Sequence, residues 1–243
     1  MTRVAVVGAR GRMGGTVCDA VEADPDLDLV ARVGSCDCLD LVLDAGADVA
    51  VEFTLPTTVK ANTAWLLRRG VHTVVGATGL TQDDLRELAA LTGPANCFVA
   101  PNFAVGAVLM MRMAELAARY LDYAEVVELH HERKVDAPSG TALRTVEMIA
   151  AARAKNGRDQ SAEPPPAGGH PARGLVVDGI PVHSVRMPGF VASHEVTFGG
   201  PGQTLRIRHD SIDRSSFMPG VLRAIKRISS LPGLTVGLET LLD

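Results

Sequence analysis

Arg3-Val4-Ala5-Val6-Val7-Gly8-Ala9-Arg10-Gly11-Arg12-Met13-Gly14 is the stretch whose reading decides the fold. Five residues, Arg3 to Val7, make a short buried strand, and a helix carrying Val17, Ala20 and Val21 follows the glycines. A G-x-x-G-x-x-G loop between a strand and a helix has a specific physical use. Gly8 permits the tight turn, Gly11 lets the backbone approach a pyrophosphate, and Gly14 lets the helix pack close to the strand. Glycines alone are weak evidence, but this context makes Gly8, Ala9, Arg10, Gly11, Arg12, Met13 and Gly14 a candidate dinucleotide-binding loop.

Downstream, strand and helix signals alternate. Strands are predicted at Leu27 to Val33, Val49 to Phe53, Val71 to Val75 and Cys97 to Ala100, with helices at Thr58 to Arg69 and Thr81 to Leu91. Such alternation predicts a doubly wound parallel sheet, whose ligands gather at the carboxyl ends of the strands. Those ends hold Gly8, then Phe53 with Thr54, then Gly76, Ala77 and Thr78, then Ala100, Pro101, Asn102 and Phe103. The end of the second strand departs from the NADH pattern. An acid is usual there, about 20 residues past the glycines, to bond the ribose hydroxyls. Here the chain reads Val33-Gly34-Ser35. With no carboxylate at Gly34 to repel a 2′-phosphate, and with Arg10, Arg12 and Arg32 to attract one, NADPH is expected to bind and NADH to be used as well.

From Gly106 an apolar helix runs through Leu109, Met113 and Leu116 to Tyr120, and its methionines are expected in the core. Strand patterns at Glu125 to Leu129, Val182 to Arg186, Glu195 to Phe198 and Leu205 to His209 predict a second, mixed α/β domain, and a last helix spans Val221 to Ser229. The chain has 243 residues, 47% hydrophobic and 21% charged, which suits a globular protein of one large or two modest domains. A net charge of −4 argues against bulk nucleic-acid binding. No apolar run reaches membrane-spanning length and the start shows no signal peptide, so a cytoplasmic location is expected. Cys18, Cys36, Cys38 and Cys97 have neither metal-finger nor C-x-x-C spacing and are expected to be ordinary buried or partly exposed residues. The segment from Asn156 to Gly174, with Pro164-Pro165-Pro166 and Gly168-Gly169, is expected to be a mobile surface loop.

The densest chemistry lies at 128 to 142, Glu-Leu-His-His-Glu-Arg-Lys-Val-Asp-Ala-Pro-Ser-Gly-Thr-Ala. His130 and His131 fall where a strand empties into a loop, Lys134 follows, and Ser139-Gly140-Thr141 opens a helix. The first turn of a helix offers unpaired N–H groups and the positive end of its dipole, so it suits a carboxylate or phosphate. Metal binding is not expected, because zinc helices space their histidines four apart and His130-His131-Glu132 does not.

Across nearly its whole length the chain resembles the 4-hydroxy-tetrahydrodipicolinate reductase (dihydrodipicolinate reductase) family. The carriers are GARGRMG at 8 to 14, EFT at 52 to 54, GATG at 76 to 79, APNFAVG at 100 to 106, ELHHERKVDAPSGTA at 128 to 142, DGIPVHSVRMPG at 178 to 189 and IRHDSIDRSSFMPGV at 207 to 221. The resemblance implies a Rossmann-type dinucleotide-binding domain at 1–105 with 215–243, and a mixed α/β substrate and tetramerisation domain at 106–214. It implies a homotetramer that reduces a small cyclic dicarboxylate with NADPH or NADH, in the diaminopimelate route to lysine. In that chemistry His130 is the candidate general acid and Lys134 a second catalytic group that holds a carboxylate or meets charge at the ring nitrogen. His131, Gly140 and Thr141 are then the carboxylate clamp, and Asp136 caps the helix or orients Lys134. Other two-domain nicotinamide dehydrogenases would lack HHERK followed by DAPSGTA, and a non-catalytic NAD(P)H sensor would not need His130 with Lys134.

Overall fold

A computed structural model describes residues 1–157 and 171–242. The chain divides into two compact units, Met1–Val105 with Arg214–Asp243, and Gly106–Asp213.

The first unit is built on six parallel strands: β1 (Thr2–Val7), β2 (Leu27–Val33), β3 (Val49–Glu52), β4 (His72–Val75), β5 (Cys97–Val99) and β11 (Leu234–Val236), in the order β11-β5-β4-β3-β1-β2. Helices α1 (Arg12–Ala23), α2 (Asp40–Asp44), α3 (Val59–Leu67), α4 (Gln82–Ala89) and α7 (Met218–Arg227) complete it. The central strands are buried on both faces, which is why Val4–Val7 and Val49–Val51 read as apolar runs rather than as alternation. Glycine decides how α1 leaves β1. Gly8 lies at φ +88°, and a Cβ on Gly14 would collide with the Gly8 carbonyl, so only glycine lets helix and loop cross this closely.

The second unit holds a mixed five-stranded sheet. Its strands are β6 (Tyr123–His130), β7 (Leu175–Val177), β8 (Ile180–Arg186), β9 (Ala192–Gly200) and β10 (Gln203–Ser211), ordered β10-β9-β6-β8-β7. Only β6 and β8 pair in parallel. Helices α5 (Val105–Ala117) and α6 (Gly140–Lys155) supply Ala114, Ala142, Val146 and Ile149 to a core shared with Val126, Val182, Val196 and Phe198 of one sheet face.

Several expectations change. The apolar stripe Leu109, Met113, Leu116 and Tyr120 is exposed, and α5 instead buries Ala107, Val108, Met110, Met111 and Ala114. Small alanines let the helix approach its neighbours, and a stripe of large side chains was the wrong guide to the inner face. β7 and β11, each three residues long, were too short to show a period. The expected Pro- and Gly-rich loop falls largely at 158–170, outside the described residues. All four cysteines are free, Cys18 and Cys97 buried, Cys36 and Cys38 exposed. No described helix is long and apolar enough to cross a membrane.

Because the Gly8–Gly14 crossing has no room for a methyl group, Gly14→Ala is expected to destabilise the first unit by about 1–3 kcal/mol in urea unfolding. An unchanged midpoint would show that the crossing relaxes at no cost.

Candidate active site

In the first unit, Gly8, Arg10, Gly11, Gly34 and Phe53 line one cleft of about 470 Å³, together with Asp37, Thr54, Thr58 and Asn62. Gly11 is the N-cap of α1 and makes no side-chain cap, so Arg12, Met13 and Gly14 begin a helix whose first N–H groups have no competing side-chain acceptor at the cap. Ala9 donates its N–H to Val33 O at 3.1 Å, tying the loop to β2. Gly76 and Ala77 follow β4, both donating to Glu52 O, and a Cβ on Gly76 would strike the Phe53 ring. Phe103 stands 6.0 Å from Phe53, centroid to centroid, and the Asn102 side chain accepts from Ala104 N at 2.8 Å. Thr78 follows Ala77 beyond the end of β4, and Ala100 and Pro101 follow β5, at the same carboxyl edge of the sheet. The absence of any side chain at Gly8 and Gly14, with an uncapped helix start beside them, fits a pyrophosphate.

Three residues change this picture. Arg32 pairs with Glu22 at 2.6 Å and is not among the residues lining the cleft. Asp37 sits in the cleft and accepts from Arg10 Nη2 at 3.2 Å and from Gly34 N at 2.8 Å. Glu52 is fully buried, bonded by Asn62 and by the amide and hydroxyl of Thr54, and burial pushes its pKa up.

The second unit gathers its charged groups by strand pairing. Ser184, Glu128, His194 and His209 face one another on β8, β6, β9 and β10, and Arg186, His130, Ala192 and Ser211 form the next row. Glu128 has no exposed surface. Burial pushes its pKa up, but hydrogen bonds from His130, Arg186 and Ser184 outweigh burial and hold it at about 2. Arg186 grips it with both terminal nitrogens, at 2.6 and 2.9 Å, and also donates to the Asp136 carbonyl at 2.6 Å. An ionised carboxylate only accepts, so the short His130 Nδ1 contact to Glu128 is an N–H donated by the imidazole, which leaves Nε2 for other chemistry.

The loop after β6 hangs from the same carboxylate. Ser139 N donates to Glu128 Oε1 at 3.3 Å, and the Ser139 hydroxyl caps Ala142 N at 3.2 Å. Ser139 is therefore occupied, and Gly140 and Thr141 follow it in the first turn of α6. Lys134 Nζ binds both oxygens of Asp136, at 2.7 and 2.8 Å, so Asp136 orients Lys134 rather than capping α6. His131 accepts the Lys134 N–H on its carbonyl at 3.1 Å. His194 is almost completely buried, its Nε2 has no hydrogen-bond partner among the described residues, and burial lowers its pKa to about 4 against the pull of Glu128. No group of three or more His, Cys, Asp or Glu among the described residues can hold a metal ion.

Glu128, Arg186, His194 and His209 were missed in the sequence, though Glu128 and His194 carried a signal. Glu128 is in phase with the inward Ala124 and Val126, and His194 with Val196 and Phe198. An ionisable residue in the buried phase of a strand is a partner looking for a partner.

Comparison with known proteins follows the same division. The family model described as "Dihydrodipicolinate reductase, N-terminus" matches residues 2–103, and "Dihydrodipicolinate reductase, C-terminus" matches residues 106–242. A 4-hydroxy-tetrahydrodipicolinate reductase of Streptomyces griseus is 51% identical, over 99% of this chain and 98% of its own. One of Mycolicibacterium vanbaalenii is 50% identical over 99% of each. A solved dipicolinate-bound dihydrodipicolinate reductase from Paenisporosarcina sp. TG-14 superposes with a TM-score of 0.84 at 38% identity, covering 99% of both chains.

Removing the Glu128 charge is expected to release the His130 ring: Glu128→Gln should lower kcat by about tenfold or more with a smaller change in KM, measured at saturating cofactor. An unchanged kcat would leave Glu128 a purely structural anchor. Acidification tests the buried histidine. Its folded pKa lies below the unfolded value, so its contribution is complete above about pH 6.5 and is lost as pH falls toward 4, by up to about 3 kcal/mol. Glu128, held at about 2, gives way only at lower pH. Urea unfolding at pH 7 and pH 4.5 should show that loss, flattened in His194→Gln; an equal loss in the variant would place it elsewhere.

Proposed function

The chain belongs to the dihydrodipicolinate reductase family, and from that premise we propose how its own residues divide the family's reaction. It is an NAD(P)H-dependent oxidoreductase that converts 4-hydroxy-tetrahydrodipicolinate to tetrahydrodipicolinate, in the diaminopimelate route to lysine. Substrate, NAD(P)H and a proton give product, NAD(P)⁺ and water. A reduced nicotinamide supplies the hydride when bound. The first unit carries the groups that hold it: the loop Gly8–Gly14, Gly34, Phe53, Gly76–Thr78 and Ala100–Phe103.

The second unit carries the acid and the clamp. Hydride addition to a ring conjugated to an imine leaves electron density that a proton must quench. His130 donates that proton from the nitrogen opposite the one tied to Glu128, an arrangement in which ring tautomer and direction are set before substrate arrives. Lys134, oriented by Asp136, holds a carboxylate and meets charge at the ring nitrogen. His131, Gly140 and Thr141 bind the substrate carboxylates at the start of α6. The observation that carries these roles is the buried Glu128, which fixes His130, the loop bearing Lys134 and the start of α6 together.

The far face of the β6–β10 sheet carries Tyr123, Glu125, Val127 and Leu129, exposed or half-buried. It is the surface through which a homotetramer forms, in the cytoplasm.

A turnover assay with freshly made 4-hydroxy-tetrahydrodipicolinate and each cofactor tests the assignment. His130→Ala is expected to lower kcat by about 10²-fold or more while cofactor dissociation constants change little. A variant with near wild-type kcat would give the proton to another group.

A further inference from the structure

β3 ends on a buried carboxylate whose partners are all neutral. Asn62 Nδ2 donates to Glu52 Oε1 at 3.1 Å, Thr54 N donates to Oε2 at 3.3 Å, and the Thr54 hydroxyl contacts Oε1. Glu128, by contrast, has a guanidinium on both oxygens. A carboxylate without exposed surface and without a cation is unfavourable, so its place beside a ligand cleft points to a use. Thr54, Thr58 and Asn62 line that cleft, and Glu52 reaches Thr58 through one hydroxyl. The backbone of the same residue fixes where these side chains stand. Glu52 O accepts from Gly76 N at 3.0 Å and Ala77 N at 3.3 Å, and Phe53 N donates to Val7 O at 3.0 Å.

The hydroxyls in this network have a direction. Both oxygens of Glu52 receive amide N–H groups, which suits the ionised form, and an ionised carboxylate only accepts. The Thr54 hydroxyl therefore gives its proton to Glu52. Thr54 Oγ1 is left with lone pairs, one of them facing Asn62 Nδ2 at 3.4 Å and another facing the Thr58 hydroxyl at 2.9 Å. Thr58 donates to it or to Leu55 O at 3.3 Å, and either bond keeps the Thr58 proton inside the turn. The exposed Thr58 oxygen then offers the cleft an acceptor.

We propose that Glu52 is a positioning residue of the cofactor cleft: acting through Thr54, it turns the Thr58 hydroxyl so that its oxygen accepts a hydrogen bond from an N–H or O–H of the bound dinucleotide. The proposal rests on the assignment of the first unit to NAD(P)H. A neutral Glu52 would run the relay the other way, from its acid proton to Thr54 and from Thr54 to Thr58, and the Thr58 proton would be free to point into the cleft. Burial pushes the Glu52 pKa up while the bonds from Thr54 and Asn62 pull it down, so the ionised form depends on the groups it positions.

The test is a double-mutant cycle read by cofactor binding. NADH and NADPH are titrated by nicotinamide fluorescence against the full-length wild type, Glu52→Gln, Thr58→Val and the double variant. Glutamine keeps the volume and an acceptor for Asn62, and its amide N–H donates to Thr54, which reverses the relay without opening a cavity. Glu52→Gln is expected to raise the Kd of both cofactors by about tenfold and Thr58→Val by a similar factor; the double variant should be no weaker than the weaker single variant, since both remove one hydrogen bond. Replacing a buried charge by its neutral isostere should leave or raise the urea midpoint of unfolding, so the loss in binding is not a loss of fold. A Glu52→Gln variant with unchanged Kd, or two effects that multiply in the double variant, overturns the proposal. A lowered midpoint with Kd unchanged makes Glu52 a structural residue only, and overturns it too. If Glu52→Gln does not fold, Thr54→Val, which cuts the relay in its middle, takes its place in the cycle. A wild type that binds neither cofactor would instead remove the assignment of the unit on which the proposal stands.

Discussion

One buried carboxylate organises the second unit. Glu128 lies inside the protein with no exposed surface, where an unpaired charge is untenable, and it stays ionised because Arg186 grips both its oxygens while His130 and Ser139 donate to it. A buried ion pair of this kind adds little to stability by itself, since its attraction is spent against desolvation. Its consequence is geometric. β6, β8, the 131–139 loop and the first turn of α6 all meet at one group, so the imidazole of His130, the Lys134–Asp136 pair and the α6 N–H groups hold fixed directions.

On the proposed reading both units meet an anion with the start of a helix, and they prepare it differently. α1 begins at Gly11 with no side-chain cap and is approached by backbone alone, as a pyrophosphate with its several oxygens requires. α6 begins at Ser139, whose hydroxyl caps Ala142 and whose N–H is already given to Glu128, so the anion-binding part of the turn narrows to Gly140 and Thr141. A compact carboxylate fits that smaller target. On that reading the difference in capping matches a difference in ligand.

How much was legible in the sequence follows from how far apart in the chain each contact lies. The parallel sheet could be read because its strands are buried on both faces and stand out as apolar runs between helices, with the glycine loop marking the functional edge. His130, Lys134, Gly140 and Thr141 stand out as candidates because they share one short segment. Strand pairing brings Arg186 and His194 beside Glu128 from β8 and β9, with His209 of β10 beyond His194, and only the buried phase of His194 hints at this along the chain. The exposed Leu109, Met113, Leu116 and Tyr120 misled because the packed face of α5 lies instead on Ala107, Val108, Met110, Met111 and Ala114.

The central claim is that ionised Glu128 holds His130 by Nδ1–H and leaves Nε2 to the reaction. Nitrogen-15 NMR of the neutral His130 ring in the wild-type protein reads this directly. The expected result is a ring that carries its proton on Nδ1 and leaves Nε2 unprotonated. A neutral ring protonated at Nε2 would contradict it, because Glu128 would then not be the group that sets the direction of proton delivery.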